Sequence, residues 1–170
     1  MRMNLVANSW YALHVKCHKE LEVANHLASE GYETLVPTHR VRRKWSDRSK
    51  DVDLPLFPSY AFCRFNPEAK FAIVSMPSVL KIVGFGSAPI PISAEEIDSL
   101  RVVCERGHRC TPHPFLSAGQ KVRVVAGPLS GVNGILLSYG RNNRIVLSVE
   151  LLRAAAAVEV DEESVVVANS

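Results

Sequence analysis

The sequence predicts an α+β fold in two parts: an N-terminal antiparallel sheet flanked by helices, then a C-terminal five-stranded, SH3-sized β-barrel. Three observations carry this. Up to about residue 106, short alternating segments interleave with helical ones. From Gly119 onward only strand-like segments remain. Between them, Gly107–Ala118 (GHRCTPHPFLSA) holds two prolines and no period, and reads as a flexible linker. The expected organisation is therefore a first domain at 1–106, a linker at 107–118 and a second domain at 119–170.

Ser9–Val15 (SWYALHV) alternates as a half-buried strand, with Trp10, Ala12 and His14 on one face and Tyr11, Leu13 and Val15 on the other. His18–Glu30 follows as a helix whose Leu21, Ala24, Leu27 and Ala28 recur at helical spacing, with Gly31 placed to end it. Glu33–Pro37 is short and extended. The basic run His39–Lys50 reads as a β-hairpin with a mobile tip near Ser46–Asp53. Leu56–Phe65 (LFPSYAFCRF) reads as a central strand entered through Pro58. Asn66-Pro67-Glu68 has the order of an N-cap, a first-turn proline and an acid facing the helix dipole. That helix must end before Pro77. Val79–Phe85 is a further strand. Ser93 and Glu96 stand at capping-box spacing, ahead of a helix showing Ile97, Leu100 and Cys104 on one face. In the second part, Lys121–Val125, Gly134–Tyr139, Arg144–Leu151, Ala157–Val160 and Ser164–Val167 are apolar and β-branched, punctuated by Gly127-Pro128, Gly131, Asn133-Gly134 and Gly140–Asn143. The run Ala154–Ala157 favours a helix by propensity, but the β-branched strands around it favour the barrel.

Composition excludes several classes. With 47% apolar and 22% charged residues the chain is of ordinary globular make-up. No apolar run approaches the roughly 20 residues of a spanning helix, and residues 1–8 lack a secretory apolar segment, so a cytoplasmic location is expected. Cys104, His108, Cys110 and His113 match the spacing of no common zinc module, and no cofactor or metal is expected. There is no glycine-rich phosphate loop, HExxH or GxSxG, which argues against an enzyme. The net charge of +3 sits in the first part: residues 1–118 carry 15 cations against 12 acids, and residues 119–170 carry 5 against 5.

The stretch Gly119–Ile135 (GQKVRVVAGPLSGVNGI) resembles a KOW motif, in which glycines serve tight turns. The segments Trp10-Tyr11 and Leu56-Phe57-Pro58-Ser59-Tyr60 resemble the N-terminal domain of NusG-like transcription factors. Together the resemblance covers Ser9 to Ala168. Within the family, Ser9–Lys16 and Pro55–Pro58 look closer to the specialised, RfaH-like and capsule-operon antiterminators than to the general factor.

The resemblance implies a monomeric protein whose N-terminal domain docks on the clamp helices of RNA polymerase and suppresses pausing or termination. It places Tyr11, His14, Phe57 and Tyr60 on the polymerase-facing patch, although a small domain also needs aromatic core. It places Lys16, Lys19 and His26 near non-template DNA of the transcription bubble, where the alternative is a solvated helix face. Arg42, Arg43 and Lys44, in the basic run, either reach nucleic acid or the polymerase, or form a solvated tip. Leu151, Leu152 and Arg153 fall in the loop with which family members grip a small-subunit ribosomal protein or Rho; the alternative is that both leucines complete the barrel. Two other readings stay open: a general elongation and termination factor of this fold, and a KOW RNA-binding protein of the ribosome.

Overall fold

Strand β1 (Ser9–Val15) is an inner strand of the N-terminal sheet; expected to be half-buried, it is buried on both faces, with only Ser9 and His14 partly exposed. The computed structural model describes residues 8–106, 108–116, 119–139 and 142–168. Gly107, Ser117, Ala118, Gly140 and Arg141 of the expected linker and turn lie outside them. After β1 come α1 (Glu20–Ser29), β2 (Glu33–Leu35), the hairpin β3 (Thr38–Trp45) and β4 (Arg48–Pro55), and β5 (Tyr60–Phe65). A 3-10 turn then leads into α2 (Lys70–Val74), β6 (Val79–Ile82), the short pair β7 (Gly84–Phe85) and β8 (Ala88–Pro89), and α3 (Ala94–Glu105). The remaining strands are β9 (Cys110–His113), β10 (Lys121–Val124), β11 (Asn133–Tyr139), β12 (Asn142–Val149), β13 (Ala154–Val160) and β14 (Val165–Val167).

The chain divides into two compact units, one reaching to Val36 and resuming at Pro58–Ala94, the other made of Pro37–Phe57 and the chain from Glu95 onward. In the first, four antiparallel strands lie in the order β2-β5-β1-β6. Tyr11, Leu13 and Val15 of β1 and Ala61, Cys63 and Phe65 of β5 form one core with Val23 and Leu27 of α1 and Ile73 of α2. The helix differs from expectation in phase. Leu21 and Ala28 face solvent, and the buried stripe is Glu20, Val23, Ala24 and Leu27. The stripe is shifted because Glu20 is held inside by a hydrogen bond: its Oε1 accepts the Ser59 N–H at 2.7 Å. Gly31 ends the helix at φ +93°, a conformation a side chain resists. Asn66 Oδ1 accepts the Glu68 N–H at 2.9 Å with Pro67 following the cap, as the sequence predicts.

In the second unit, six strands lie in the order β14-β10-β11-β12-β13-β9. The five expected strands are present, and the sixth comes from the stretch expected to be a linker. Cys110–His113 pairs antiparallel with Ala155–Val158 of β13. A linker reading failed there because prolines hide the period; Pro112 is tolerated because β9 is the terminal strand, where a missing N–H costs little. Ala154–Ala157 is strand, not helix. Gly134 is required by close approach: a Cβ there would lie 2.8 Å from the Val146 carbonyl oxygen. Helix α3, expected with the first domain, belongs to this unit. Its Ile97, Leu100 and Val103 are buried, Ser99 Oγ accepts the Asn133 N–H at 3.2 Å, and Glu96 Oε1 accepts the Glu150 N–H at 3.4 Å. Burial, followed by the Glu150 charge, raises the Glu96 pKa, while the bond from the Glu150 backbone opposes it.

Candidate functional site

Antiparallel pairing puts Tyr60 of β5 opposite His14 of β1, and His14 opposite Lys81 of β6. Residues directly opposite share a face, so the three form one row across the sheet, away from the Tyr11–Leu13–Val15 core. The His14 and Tyr60 rings lie 5.4 Å apart, tilted by 31°, and both are half-buried; Lys81 is exposed. The same face continues through Ala12 and Phe62 to Trp10, all buried. The row is therefore an accessible end of a face whose middle is buried; at the far end, beyond Trp10, Arg64 and Glu33 are exposed and ion-paired.

The turn that aims Tyr60 is fixed from two sides. The Val15 N–H donates to the Ser59 carbonyl at 2.9 Å, and the Ser59 N–H donates to Glu20. Ser59 itself sits at φ +68°, a region unfavourable to a residue with a Cβ. Sequence reasoning missed Glu20; a carboxylate at the first position of an apolar helix stripe is the signal that could have found it.

Two of the four aromatic or imidazole candidates are buried. Tyr11 is 4% exposed and packs on Phe65 with ring centroids 4.5 Å apart, so it belongs to the core. Phe57 is 2% exposed. Small domains bury aromatics because each removes a large apolar area from water, and here that demand took both. His14 and Tyr60 remain available.

Lys16 is exposed just beyond β1, and His26 is exposed in the last turn of α1. Lys19 is ion-paired with Glu22. From Lys19 to His26 the helix advances about 10 Å. Lys16 and His26 are therefore separate exposed groups, while Lys19 is engaged by Glu22.

In the hairpin, Arg42 lies 4.0 Å from Asp51 and Arg40 lies 3.3 Å from Asp53. Arg43 and Lys44 are exposed. The tip is only Ser46-Asp47, and the residues expected to be mobile continue as β4. At its base, burial lowers the His39 pKa.

Leu151 and Leu152 are half-buried in a 3-10 turn after β12. Arg153 follows in the left-handed region at φ 52°, its guanidinium 4.2 Å from the centre of the Phe115 ring. Beside the Gly127-Pro128 turn lies an open cleft of about 310 Å³ lined by His108, Glu159 and Asp161 among others; it touches none of the expected partner-binding residues. Cys110 is buried and its thiol is pushed up to about 12 by burial. Among the described residues, no three metal-ligating side chains come together.

A family model described as transcription termination factor nusG matches residues 8–101. The transcription termination/antitermination protein NusG of Pseudomonas aeruginosa is 27% identical, over 92% of this chain and 96% of the relative. The protein of the same name from Thermus thermophilus is also 27% identical, over 92% and 97%. A solved structure of Thermotoga maritima NusG, concerned with domain interaction, matches with a TM-score of 0.55 at 17% identity, over 93% of this chain and 96% of that one; this likeness is one of fold.

Proposed function

The chain belongs to the NusG family of transcription termination factors, and from that premise we propose that it binds RNA polymerase through the His14–Tyr60–Lys81 row and suppresses pausing or termination. The observation that carries the proposal is the half-exposed His14–Tyr60 ring pair at one end of a sheet face whose middle is buried. Rigid aromatic groups anchored in a sheet suit an interface centre, because they bring area at little entropy cost. Lys81 adds a cation that an acidic rim would complement. The protein makes and breaks no bond itself in this reading. The clamp helices of the catalytic core are the expected partner surface.

The finer assignments follow from the same reading. Lys16 and His26 face non-template DNA. The half-buried Leu151-Leu152 turn with Arg153 holds a ribosomal protein or Rho. The factor is specialised to particular operons, as the Ser9–Lys16 and Pro55–Pro58 segments suggest. A second reading, a general elongation and termination factor, is favoured by the names of the relatives.

Capture of purified core polymerase tests the docking. His14→Ala and Tyr60→Ala should each weaken capture by about tenfold, the scale of a truncated interface anchor. Capture unaffected by both would sink the assignment of the row. Crosslinking to bubble DNA should fall in Lys16→Ala with His26→Ala, and unchanged crosslinks would remove that flank from the DNA path. Rho-dependent termination measured with and without the protein separates the two readings: suppression confined to templates carrying one leader element marks the specialised factor, and an effect on unrelated templates marks the general one.

A further inference from the structure

The hairpin β3–β4 carries the whole net charge of the protein. Its 18 residues hold six cations and three acids, and the other 152 residues hold fourteen of each. The register sorts these charges by face. Thr38↔Pro55, Arg40↔Asp53, Arg42↔Asp51 and Lys44↔Ser49 lie on one side; His39↔Leu54, Val41↔Val52, Arg43↔Lys50 and Trp45↔Arg48 lie on the other. On the first side, two arginines are neutralised by the acids opposite them. On the second, no acid is present in the register. Arg43 faces Lys50 directly, a like-charge pairing that disfavours the ladder unless an anion lies over it. One step further, Trp45 stands 63% exposed beside Arg48. Among the described residues, Arg43, Arg48 and Lys50 form no ion pair.

We propose that this second face is a stacking site for single-stranded nucleic acid, with one base on the Trp45 indole and the flanking phosphates on Arg43, Arg48 and Lys50. An exposed indole among unneutralised cations supplies the two contacts such a strand needs, a π-face for a base and charge for its backbone. A duplex keeps its bases stacked on each other and offers only phosphates. Of the cations singled out in the sequence, Arg43 joins the site, while Arg42 and Lys44 lie on the opposite face. The proposal rests on the reading of the hairpin as nucleic-acid-facing and not on polymerase docking by the sheet.

The test is fluorescence anisotropy of the full chain with labelled single strands of about 12 nucleotides, within the usual span of one module. DNA and RNA strands of one sequence, and the DNA duplex, form the three arms. Either single strand should bind tighter than the duplex, and the tighter of the two identifies the source. Trp45→Ala should weaken single-strand binding by about tenfold and Trp45→Phe by much less. Arg43→Gln with Lys50→Gln should reduce the slope of log affinity against log salt by about 1.4, at ~0.7 per phosphate contact. Arg42→Gln should leave both quantities in place. Binding should quench tryptophan fluorescence, and the signal should vanish in Trp45→Phe, because the other tryptophan, Trp10, is buried. Duplex binding as tight as single-strand binding, unchanged affinity in Trp45→Ala, or an equal loss in Arg42→Gln would each overturn the proposal. So would absence of strand binding together with loss of polymerase capture in Trp45→Ala, which would make the face a protein contact. Core-polymerase capture is measured in parallel: loss there in the His14 and Tyr60 variants, with strand binding intact, bears on the docking row alone.

Discussion

Two antiparallel ladders in this molecule are built from the same hydrogen-bond pattern and held by different forces. The pair β1–β5 runs for six register positions, and five of the seven β1 residues are buried. The hairpin β3–β4 runs for eight, and none of its sixteen strand residues is buried. Burying a large apolar side chain is worth about 1.5–3 kcal/mol, whereas a favourable cross-strand pair on an open face contributes roughly 0.2–1 kcal/mol. Sequence changes should therefore register as stability in the first ladder and as binding in the second. A strand whose side chains are not needed for folding is free to carry charge.

The largest expected effect tests the buried ladder. Phe65 is 1% exposed and packs on Tyr11. Phe65→Ala should cost about 3–5 kcal/mol in denaturant unfolding, the range for a buried phenylalanine. A loss below ~1 kcal/mol would mean that the core lies elsewhere. Next is Glu20→Ala, which removes a buried carboxylate acceptor and leaves the Ser59 N–H without its partner. Leaving a buried donor unsatisfied costs roughly 1–3 kcal/mol, and the melt should drop accordingly. Glu20→Gln keeps an acceptor and should cost less; equal losses would show that packing, not the hydrogen bond, is what matters there. Smaller again is Ser59→Gly. It relieves a left-handed residue, whose cost of roughly 1–2 kcal/mol is partly offset by the greater freedom of glycine when unfolded. A net gain of up to about 1 kcal/mol is expected, and a clear loss would mean that the Ser59 side chain contributes more than the strain it imposes.

The same contrast explains what was legible in the sequence. Strand β1 was readable because Ser9–Val15 is short, apolar and β-prone, although burial reaches both of its faces, Trp10 and Ala12 on one and Tyr11, Leu13 and Val15 on the other. The Asn66-Pro67 cap was readable because capping is local. The phase of α1 was not, because Glu20 is buried by a backbone N–H from 39 residues away and no local pattern encodes that. Strand β9 was hidden for a similar reason: its order comes from the edge of β13, and Pro112 erases the alternation. Of the expected docking residues, the sequence put Tyr11 and His14 on opposite faces of β1 but did not say which face meets the helices. The packing shows Tyr11 in the core, and the register sets Tyr60 beside His14 on the other face. In the hairpin the cations were plain, yet their pairing with Asp51 and Asp53 depends on which residues the tight Ser46-Asp47 turn sets opposite one another.

The smallest predicted stability effect follows from that pairing. The Arg40–Asp53 and Arg42–Asp51 ion pairs are largely open to water, with side chains from 53% to 75% exposed. Exposed pairs of this kind typically contribute about 0–1 kcal/mol, because water screens the attraction and two long side chains lose freedom to make it. Asp53→Asn should therefore change unfolding free energy by no more than ~0.5 kcal/mol and leave the circular dichroism spectrum unaltered. It should nevertheless expose a further cation, Arg40, on the face opposite Trp45. If acids are placed there to keep nucleic acid on the Trp45 side, Asp53→Asn should raise duplex affinity, narrowing the preference for single strands, while stability stays constant. A stability loss above ~1 kcal/mol would contradict the contrast between the two ladders, since the hairpin would then depend on its charges to fold. Unchanged duplex binding at constant stability would mean that the acids on that face do not select between nucleic-acid forms.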